Sequence, residues 1–413
     1  MKTNALKLTL RICCWLFGAV FIFSGFVKAI DPAGGSYKFQ EYFAAMGLES
    51  FGTFALILAV LLSAIEMVIG LNLLFGVRIK ETSIAGILFM LVMTPLTLWI
   101  ALKNPVPDCG CFGDALIISN KATFVKNIVL LIMIVAIFCL RKHYTPTIKP
   151  LTEWVLVLFS FVSVMALSHV SYHYLPMVDF RPFKIGINIP ESMKFPDSVP
   201  RDEYNTTFIL SKNGVKKEFT LENYPDSTWT FIEQKTTLIK EGYKPPIHDF
   251  SIQDPLHGDI TDTVLNNRGY TFLLIAYDMA TAKRNHTAEL NALYRYALQN
   301  RYAFYCLTGS TPEVIDQFMT ETSLQIPLCI ADPTTLKTVI RSNPGLVLLH
   351  NGTVVNHWPN SWLPSFRQPL SQNPADEMPS IRPWMWVAFV SILYLAIFIG
   401  LRKMIERWNG SRS

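Results

Sequence analysis

Long apolar runs alternate with short polar segments along most of this chain. Runs long enough to cross a bilayer as helices occupy residues 10–30, 51–76, 83–102, 122–140, 154–175 and 384–401. The first run lacks the small-residue cleavage site of a signal peptide, and we expect it to be retained. The pattern predicts an α-helical membrane bundle, with a four-helix core near the N-terminus and two further spans.

The segment between the fifth and sixth runs follows a different pattern. Residues 206–220 predict a β-hairpin, because alternating residues flank Asn213-Gly214. Further on, the pattern predicts strands at residues 270–277, 303–307 and 326–330, helices at 287–299, 311–322 and 333–340, and a hairpin of strands 345–350 and 353–357. Such alternation predicts a sheet with helices on its faces, that is, an α/β domain.

Basic residues at the ends of the apolar runs predict the orientation. With the N-terminus in the cytoplasm, the basic clusters within residues 2–11, 78–80, 141–149 and 402–412 all face the cytoplasm, as the positive-inside rule requires. We therefore expect a bacterial inner-membrane protein with both termini cytoplasmic and residues 177–383 periplasmic. Disulfides form and persist on that side of the membrane.

Composition supports a membrane protein with the lipid bilayer as its main partner. Charged residues make up 16% of the chain, whereas soluble proteins carry about 25%. The net charge of +5 comes mainly from the ends of the spans, so we expect no nucleic-acid partner. The seven cysteines are scattered apart from one close pair and do not form a disulfide scaffold.

That pair is Cys109 and Cys111, in a short loop between the third and fourth runs. Gly110 and Gly113 permit a sharp turn there. One intervening residue implies a small strained disulfide ring, and strained exposed disulfides tend to be oxidising and labile. A reversible dithiol is favoured over a static turn or two free thiols. Zinc is less favoured, because no further His or Cys lies nearby in sequence.

Groups near the pair in sequence are expected to favour a thiolate. A helix N-terminus from about Thr123, together with Lys103 or Lys121, would lower a thiol pKa. Glu66 is a lone acid within the second span, which marks it as a functional candidate. It either relays a proton, as quinone reduction requires, or forms a structural pair with Lys28, and the sequence does not separate these alternatives.

Several other residues carry weaker predictions. His169 and His173 are four residues apart in the fifth run, where they are either metal or haem ligands or, as we prefer, interfacial polar residues. Cys13, Cys14 and Cys139 are interpreted as packing residues. Cys306 and Cys329 lie on two predicted strands. They would pair if those strands are neighbours, and buried free thiols are the alternative.

The membrane half resembles two known families. The stretch Gly18-Ala-Val-Phe-Ile-Phe-Ser-Gly25, the Asp31-Pro32 pair, the pattern Glu66-x-x-x-Gly70 and the loop Asp108-Cys-Gly-Cys-Phe-Gly113 resemble the DoxX and MauE four-helix membrane proteins, the loop MauE in particular. The layout is similar to the quinone-linked oxidoreductases of the vitamin K epoxide reductase and DsbB type. The resemblance implies a role like that of MauE, which helps the disulfide-rich small subunit of methylamine dehydrogenase to mature.

This chain departs from those oxidoreductases at the cysteines. They use Cys-x-x-Cys and often a second cysteine pair, whereas this chain has Cys-x-Cys and no cysteine in residues 31–50, which we interpret as a loop. A relay between two pairs is therefore not expected.

The soluble segment resembles the thioredoxin fold in its TlpA-like or peroxiredoxin-like form. The resemblance covers residues 245–358, with Asn343-Pro344-Gly345 where the family places its cis-proline. The family's Cys-x-x-Cys should follow the first core strand, but residues 278–284 contain no cysteine. We therefore expect a redox-silent domain that docks a client.

Together these observations predict a membrane thiol–disulfide oxidoreductase or maturation factor for an exported client. Cys109 and Cys111 are the expected catalytic residues, a membrane quinone is the expected cofactor, and Glu66 is the candidate proton relay. One alternative is a non-enzymatic assembly factor whose thioredoxin-like domain binds a partner, and a small-molecule transporter that uses Glu66 ranks last. The expected division is residues 1–147 for the four-helix domain, 151–176 for the fifth span, 177–244 for a β-rich connector, 245–366 for the thioredoxin-like domain, 367–383 for a linker, 384–402 for the sixth span and 403–413 for a basic cytoplasmic tail.

Overall fold

The computed structural model describes residues 2–144, 150–196, 199–200, 203–212, 214–240 and 242–363, with a few isolated positions beyond. The helices are α1 (Lys2–Ile30), α2 (Pro32–Ala45), α3 (Ala55–Phe75), α4 (Ile79–Lys103), α5 (Asn120–Leu140), α6 (Pro150–Tyr174), α7 (Ile189–Met193), α8 (Thr261–Leu265), α9 (Thr287–Gln299), α10 (Pro312–Thr322) and α11 (Pro333–Val339). The predicted linker, sixth span and basic tail fall almost entirely outside the described residues.

The N-terminal part is a helical bundle that makes this chain a multi-pass membrane protein. Within the described residues, five helical segments are long and apolar enough to cross a membrane: Asn4–Ile30, Glu49–Phe75, Ile79–Lys103, Asn120–His143 and Pro150–Tyr174. They correspond to the first five predicted runs, which are confirmed with small shifts of their ends.

Glycines allow α1 and α3 to cross at close range. A Cβ atom on Gly25 would lie 2.7 Å from the backbone nitrogen of Met67, and one on Gly70 would lie 2.7 Å from that of Ile22. Small residues at such crossings let the backbones of membrane helices touch. The close crossing brings Glu66 of α3 against the α1 face that carries Ser24 and Lys28.

The segment after α1 was expected to be a loop, and this expectation is wrong. Residues 32–45 form α2, which Pro32 begins and which Asp31 caps by accepting a hydrogen bond of 2.9 Å from the Gly34 nitrogen. Aspartate at the N-cap and proline in the first turn are standard helix-start residues. The segment was misread because it is polar and lies between two spans.

Among the described residues after α6, the strands form two sheets. The strands are β1 (Glu203–Lys212), β2 (Val215–Thr220), β3 (Thr230–Lys240), β4 (Gln253–Asp254), β5 (Gly258–Asp259), β6 (Tyr270–Ile275), β7 (Ala303–Thr308), β8 (Leu328–Ile330), β9 (Gly345–His350) and β10 (Thr353–Pro359). β1 and β2 form the predicted hairpin, and β3, which the pattern did not predict, pairs with the other side of β1. The second sheet has the order β10-β9-β6-β7-β8-β4-β5.

The larger sheet forms an α/β region with a hydrophobic core on each face. Alternate residues of the central strand β6 divide between the cores, with Phe272 and Leu274 on one face and Leu273 and Ile275 on the other. Because both faces are buried, the strand reads as a continuous apolar run. Ile189 of the predicted connector also packs into one core, so the α/β region recruits residues from before position 245.

Two cysteines of this region lie on neighbouring strands but on opposite faces of the sheet. In the register of β7 and β8, Cys329 is opposite Leu307 and Cys306 is opposite Leu328. Since side chains alternate between faces, the two sulfurs are in different cores. Both are buried free thiols, as the second of the two interpretations predicted.

Candidate functional site

The Cys-Gly-Cys turn lies between α4 and α5. Gly110 adopts a positive φ of 64° and Gly113 one of 50°, which glycine tolerates without strain. The Asp108 carboxylate tightens the turn by accepting a hydrogen bond of 2.7 Å from the Gly110 nitrogen. This geometry brings the two sulfur atoms of Cys109 and Cys111 to 3.1 Å, and both are present as thiols.

Side chains from two other helices hold this turn in place. Tyr42 of α2 donates its hydroxyl hydrogen bond to the Cys109 carbonyl oxygen. Ser24 of α1 lies 2.7 Å from the Cys111 carbonyl oxygen. Lys38 of α2 forms an ion pair of 3.1 Å with Asp108. α2, which was interpreted as a loop from sequence, is therefore a structural support of the dithiol.

A buried polar cluster links the dithiol to the middle of the bundle. Lys28 Nζ lies 2.8 Å from both carboxylate oxygens of Glu66, and their side chains are only 12% and 8% exposed. Ser24 Oγ accepts from Lys28 at 2.9 Å and lies 2.8 Å from Glu66 Oε2. Of the two alternatives for Glu66, the structure shows the Lys28 pair, in contact with the turn through Ser24.

The two thiols have pKa values that are shifted in opposite directions. The hydrogen bond from Cys109 lowers the pKa of Cys111 against the opposing effect of burial, and Lys126 and Lys28 lower it further. The same hydrogen bond, together with burial, raises the pKa of Cys109. These directions favour Cys111 as the thiolate of the pair. From sequence we expected Lys103 or Lys121 to lower a thiol pKa. In the structure Lys126 and Lys28 have this effect on Cys111, because packing brings them close.

This asymmetry predicts the pH dependence of alkylation. The Cys111 thiolate exists above its lowered pKa and is lost as the pH falls through it, so its alkylation midpoint should lie below that of an ordinary thiol. Cys109→Ala removes the donated hydrogen bond and should move the midpoint to higher pH, whereas Cys109→Ser retains a donor. The rate of iodoacetamide labelling of Cys111 against pH, followed by mass spectrometry, measures this shift. An equal midpoint in all three proteins would contradict the assignment.

Both sulfurs line a cavity of about 650 Å³ that extends into the bundle. Its polar lining includes Glu66, Lys126 and Asn127, whose amide donates to Thr97 at 3.1 Å. Its apolar lining comes from the helices and includes Phe21, Phe89, Met90, Met93 and Leu130. The volume is that of a small-molecule pocket. A lining that combines polar groups, among them Lys28 and Lys126, with apolar side chains suits an amphipathic ligand.

The histidine pair of the fifth span lies at the exposed end of α6. His173 Nδ1 lies 2.9 Å from the His169 carbonyl oxygen, and the two exposed rings are tilted by 37° with their centroids 4.3 Å apart. Throughout the part of the chain that the structure describes, no group of three or more His, Cys, Asp and Glu side chains is placed to hold a metal. The geometry favours the interfacial interpretation.

The central site residues are recognisable from the sequence, but the residues that hold them in place are not. Ser24 precedes Lys28 by one helical turn, so their shared face could have been found from spacing. Tyr42 and Lys126 carry no such pattern. Arg341, which lines the same cavity, belongs to the α/β region and follows Cys111 by more than half the length of the chain, so only tertiary structure reveals it.

Comparisons with protein families agree with the membrane half of this description. Residues 6–140 match the family model described as Methylamine utilisation protein MauE. Residues 204–241, which cover most of the three-stranded sheet, match a domain of unknown function, DUF8463. A comparison with curated proteins finds no match. The helical part of this chain is therefore similar to the MauE family, as its sequence resemblance indicated.

Proposed function

We propose that this chain is a membrane thiol–disulfide oxidoreductase, or maturation factor, that introduces disulfides into an exported client. The observation that carries this proposal is the pair of sulfurs 3.1 Å apart, facing a cavity that reaches into the bundle. Asymmetric pKa values mark an exchange-active pair, because one sulfur leaves easily as a thiolate while the other is attacked. The similarity to MauE supports a role related to methylamine utilisation.

The shifted pKa values assign a direction to the exchange. In the disulfide form, a client thiolate attacks Cys109 Sγ, the bond between Cys109 and Cys111 breaks, and Cys111 leaves as the thiolate that Lys126 and Lys28 stabilise. A second thiolate of the client then attacks the client sulfur of the mixed disulfide, and Cys109 leaves as a thiolate. The client gains a disulfide and loses two electrons, which the dithiol now carries.

Returning the dithiol to the disulfide requires an acceptor of two electrons, and the cavity fits a membrane quinone. A quinone is an amphipathic molecule, with a polar ring that suits the polar groups of the lining and an apolar tail that suits its apolar side chains. When bound, a quinone takes up two electrons and two protons. Lys126 and Asn127 would orient its carbonyl oxygens, and the Lys28–Glu66 pair would hold a proton close to Cys111.

The proposal includes a thioredoxin-like identity for residues 245–366. In support, β6 pairs in parallel with β7 and antiparallel with β9, and α9 crosses between the first two strands. We further propose a bacterial inner-membrane location with both termini cytoplasmic and residues 177–383 in the periplasm, which the distribution of basic residues supports.

The test uses the full chain in lipid nanodiscs with a reduced two-cysteine peptide and a short-chain quinone. We expect thiols to disappear and quinone absorbance to fall together, one quinone for each peptide disulfide. The matched control is Cys139→Ala, which changes an exposed cysteine of the bundle and should leave the rate unchanged. Thiol oxidation at the same rate in a protein without Cys109 and Cys111 would refute the proposal.

A second candidate, a non-enzymatic assembly factor, is favoured by one observation. Tyr42, Lys38 and Ser24 all bind the Cys-Gly-Cys turn, as expected for a braced loop. In that case the cysteines stay in one oxidation state, and a partner complex fails to assemble when the α/β region is removed. Absence of quinone-linked thiol oxidation would favour this candidate.

A further inference from the structure

One end of the α/β region lies directly against the membrane bundle. Tyr277 follows the central strand β6, and its hydroxyl is 2.9 Å from that of Tyr37 in α2. Lys337 of α11 places its ammonium 5.0 Å from the centre of the Tyr37 ring. Tyr277, Lys337 and Arg341 together form what we call the docking face.

Arg341 makes the strongest contact of the docking face. Its Nη2 lies 2.8 Å from Asp31 and 3.2 Å from Asp114, and its Nε lies 3.0 and 3.1 Å from the two Asp31 oxygens. The side chain is only 9% exposed. Burial raises the pKa of Asp31, but the charge and hydrogen bonds of Arg341, together with Arg181 and the Gly34 N–H, outweigh this effect and lower the pKa, so the carboxylate remains ionised. Asp31, Tyr37 and Asp114 form the rim of the bundle.

The docking face also walls the cavity that contains the dithiol. Lys337 and Arg341 line it from the α/β side, and Cys109 and Cys111 line it from the bundle side. Asp114 is only three positions after Cys111, so the ion pair lies next to the reactive turn. A cavity of about 650 Å³ admits a small molecule but not a protein client.

We infer that the docking face and the rim form a closing contact that gates the dithiol, and that a protein client reaches the cysteines only when this contact opens. The client part of this inference rests on the proposed function, whereas the gating does not. The closing contact also changes the role expected for the soluble domain as the site that docks the client. In the closed arrangement its docking face is already occupied by the bundle.

The experiment compares labelling of Cys109 and Cys111 by a polymer-linked maleimide with labelling by small N-ethylmaleimide, using the full chain in native membranes. Arg341→Gln breaks the contact from one side. The double variant Asp31→Asn/Asp114→Asn breaks it from the other and keeps a capping residue at the start of α2. Arg284→Gln is the matched control, because Arg284 pairs with Glu321 inside the α/β region.

We expect polymer labelling to rise by roughly tenfold or more in both Arg341→Gln and Asp31→Asn/Asp114→Asn. This is the change in equilibrium that the loss of a charge-assisted hydrogen bond would produce. Labelling by N-ethylmaleimide should change little in these variants. Polymer labelling should change little in the Arg284→Gln protein. The buried thiols Cys306 and Cys329 report unfolding of the α/β region in the same samples, and they should stay unlabelled.

Unchanged polymer labelling in the Asp31→Asn/Asp114→Asn protein would overturn the gate, since that change lies outside the α/β region. If polymer labelling increases in the variants but the full chain shows no quinone-linked thiol oxidation, the gate is supported and the proposed function is refuted. The two inferences therefore fail separately.

Discussion

Replacing Cys111 by alanine is expected to abolish turnover and to leave Cys109 able to form a persistent mixed disulfide. Without Cys111, the Cys109 thiolate attacks the peptide disulfide, one peptide sulfur becomes bonded to Cys109 and the other leaves as a thiolate, and the turn has no second thiol to displace the peptide. Removing the neighbouring thiolate also lowers the pKa of Cys109, which keeps it reactive. Turnover should fall by a factor on the order of 10³ or more, the scale for loss of an essential covalent residue.

Cys109→Ala should lose turnover equally but should not trap the peptide, because in the proposed exchange the mixed disulfide forms at Cys109 and not at Cys111. Non-reducing electrophoresis after incubation with the disulfide peptide distinguishes the two proteins. Trapping by Cys109→Ala rather than by Cys111→Ala would reverse the assignment of attacked and leaving sulfurs. Trapping by neither would indicate that the pair does not exchange with proteins.

Glu66→Ala is expected to have the largest effect on stability. The substitution leaves Lys28 charged, buried and without its carboxylate partner, which typically costs about 3–5 kcal/mol. The free energy of unfolding in detergent, followed by tryptophan fluorescence, measures this loss. Glu81→Ala is the control, because its ion pair with Arg78 is more exposed.

The double variant Glu66→Leu/Lys28→Met separates structure from chemistry. Replacing a whole buried ion pair with apolar residues is often neutral or stabilising, so stability should recover. If the pair also handles protons and orients the turn, thiol oxidation should remain slow in this stable protein. Recovery of both stability and full activity would show that Glu66 is only structural, which is one of the two alternatives that the sequence left open.

Most of the fold follows from local patterns in the sequence. The five spans appear as long apolar runs with few charged residues, and α9 matches its predicted range because Leu290 and Leu293 repeat on one face. The helix α2 was missed because its apolar content is too low to stand out between two spans. β3 was missed because exposed strands lack a buried face and therefore show no clear alternation.

The site was predictable only at its centre. Cys109 and Cys111 stand out by spacing, and Glu66 stands out as an acid in an apolar run. Arg341 was not predictable, because its contact with Asp114 joins residues 227 positions apart and depends on how the α/β region meets the bundle. The lysine that affects Cys111 was likewise misassigned, since proximity in sequence does not determine proximity in space.

We propose that Cys109 and Cys111 exchange electrons with the membrane quinone pool. The most direct measurement is their redox state in intact membranes, trapped by alkylation with the pool held first oxidised and then reduced. We predict a disulfide in the first condition and two alkylated thiols in the second. A pair that remains in one state under both conditions would contradict the account.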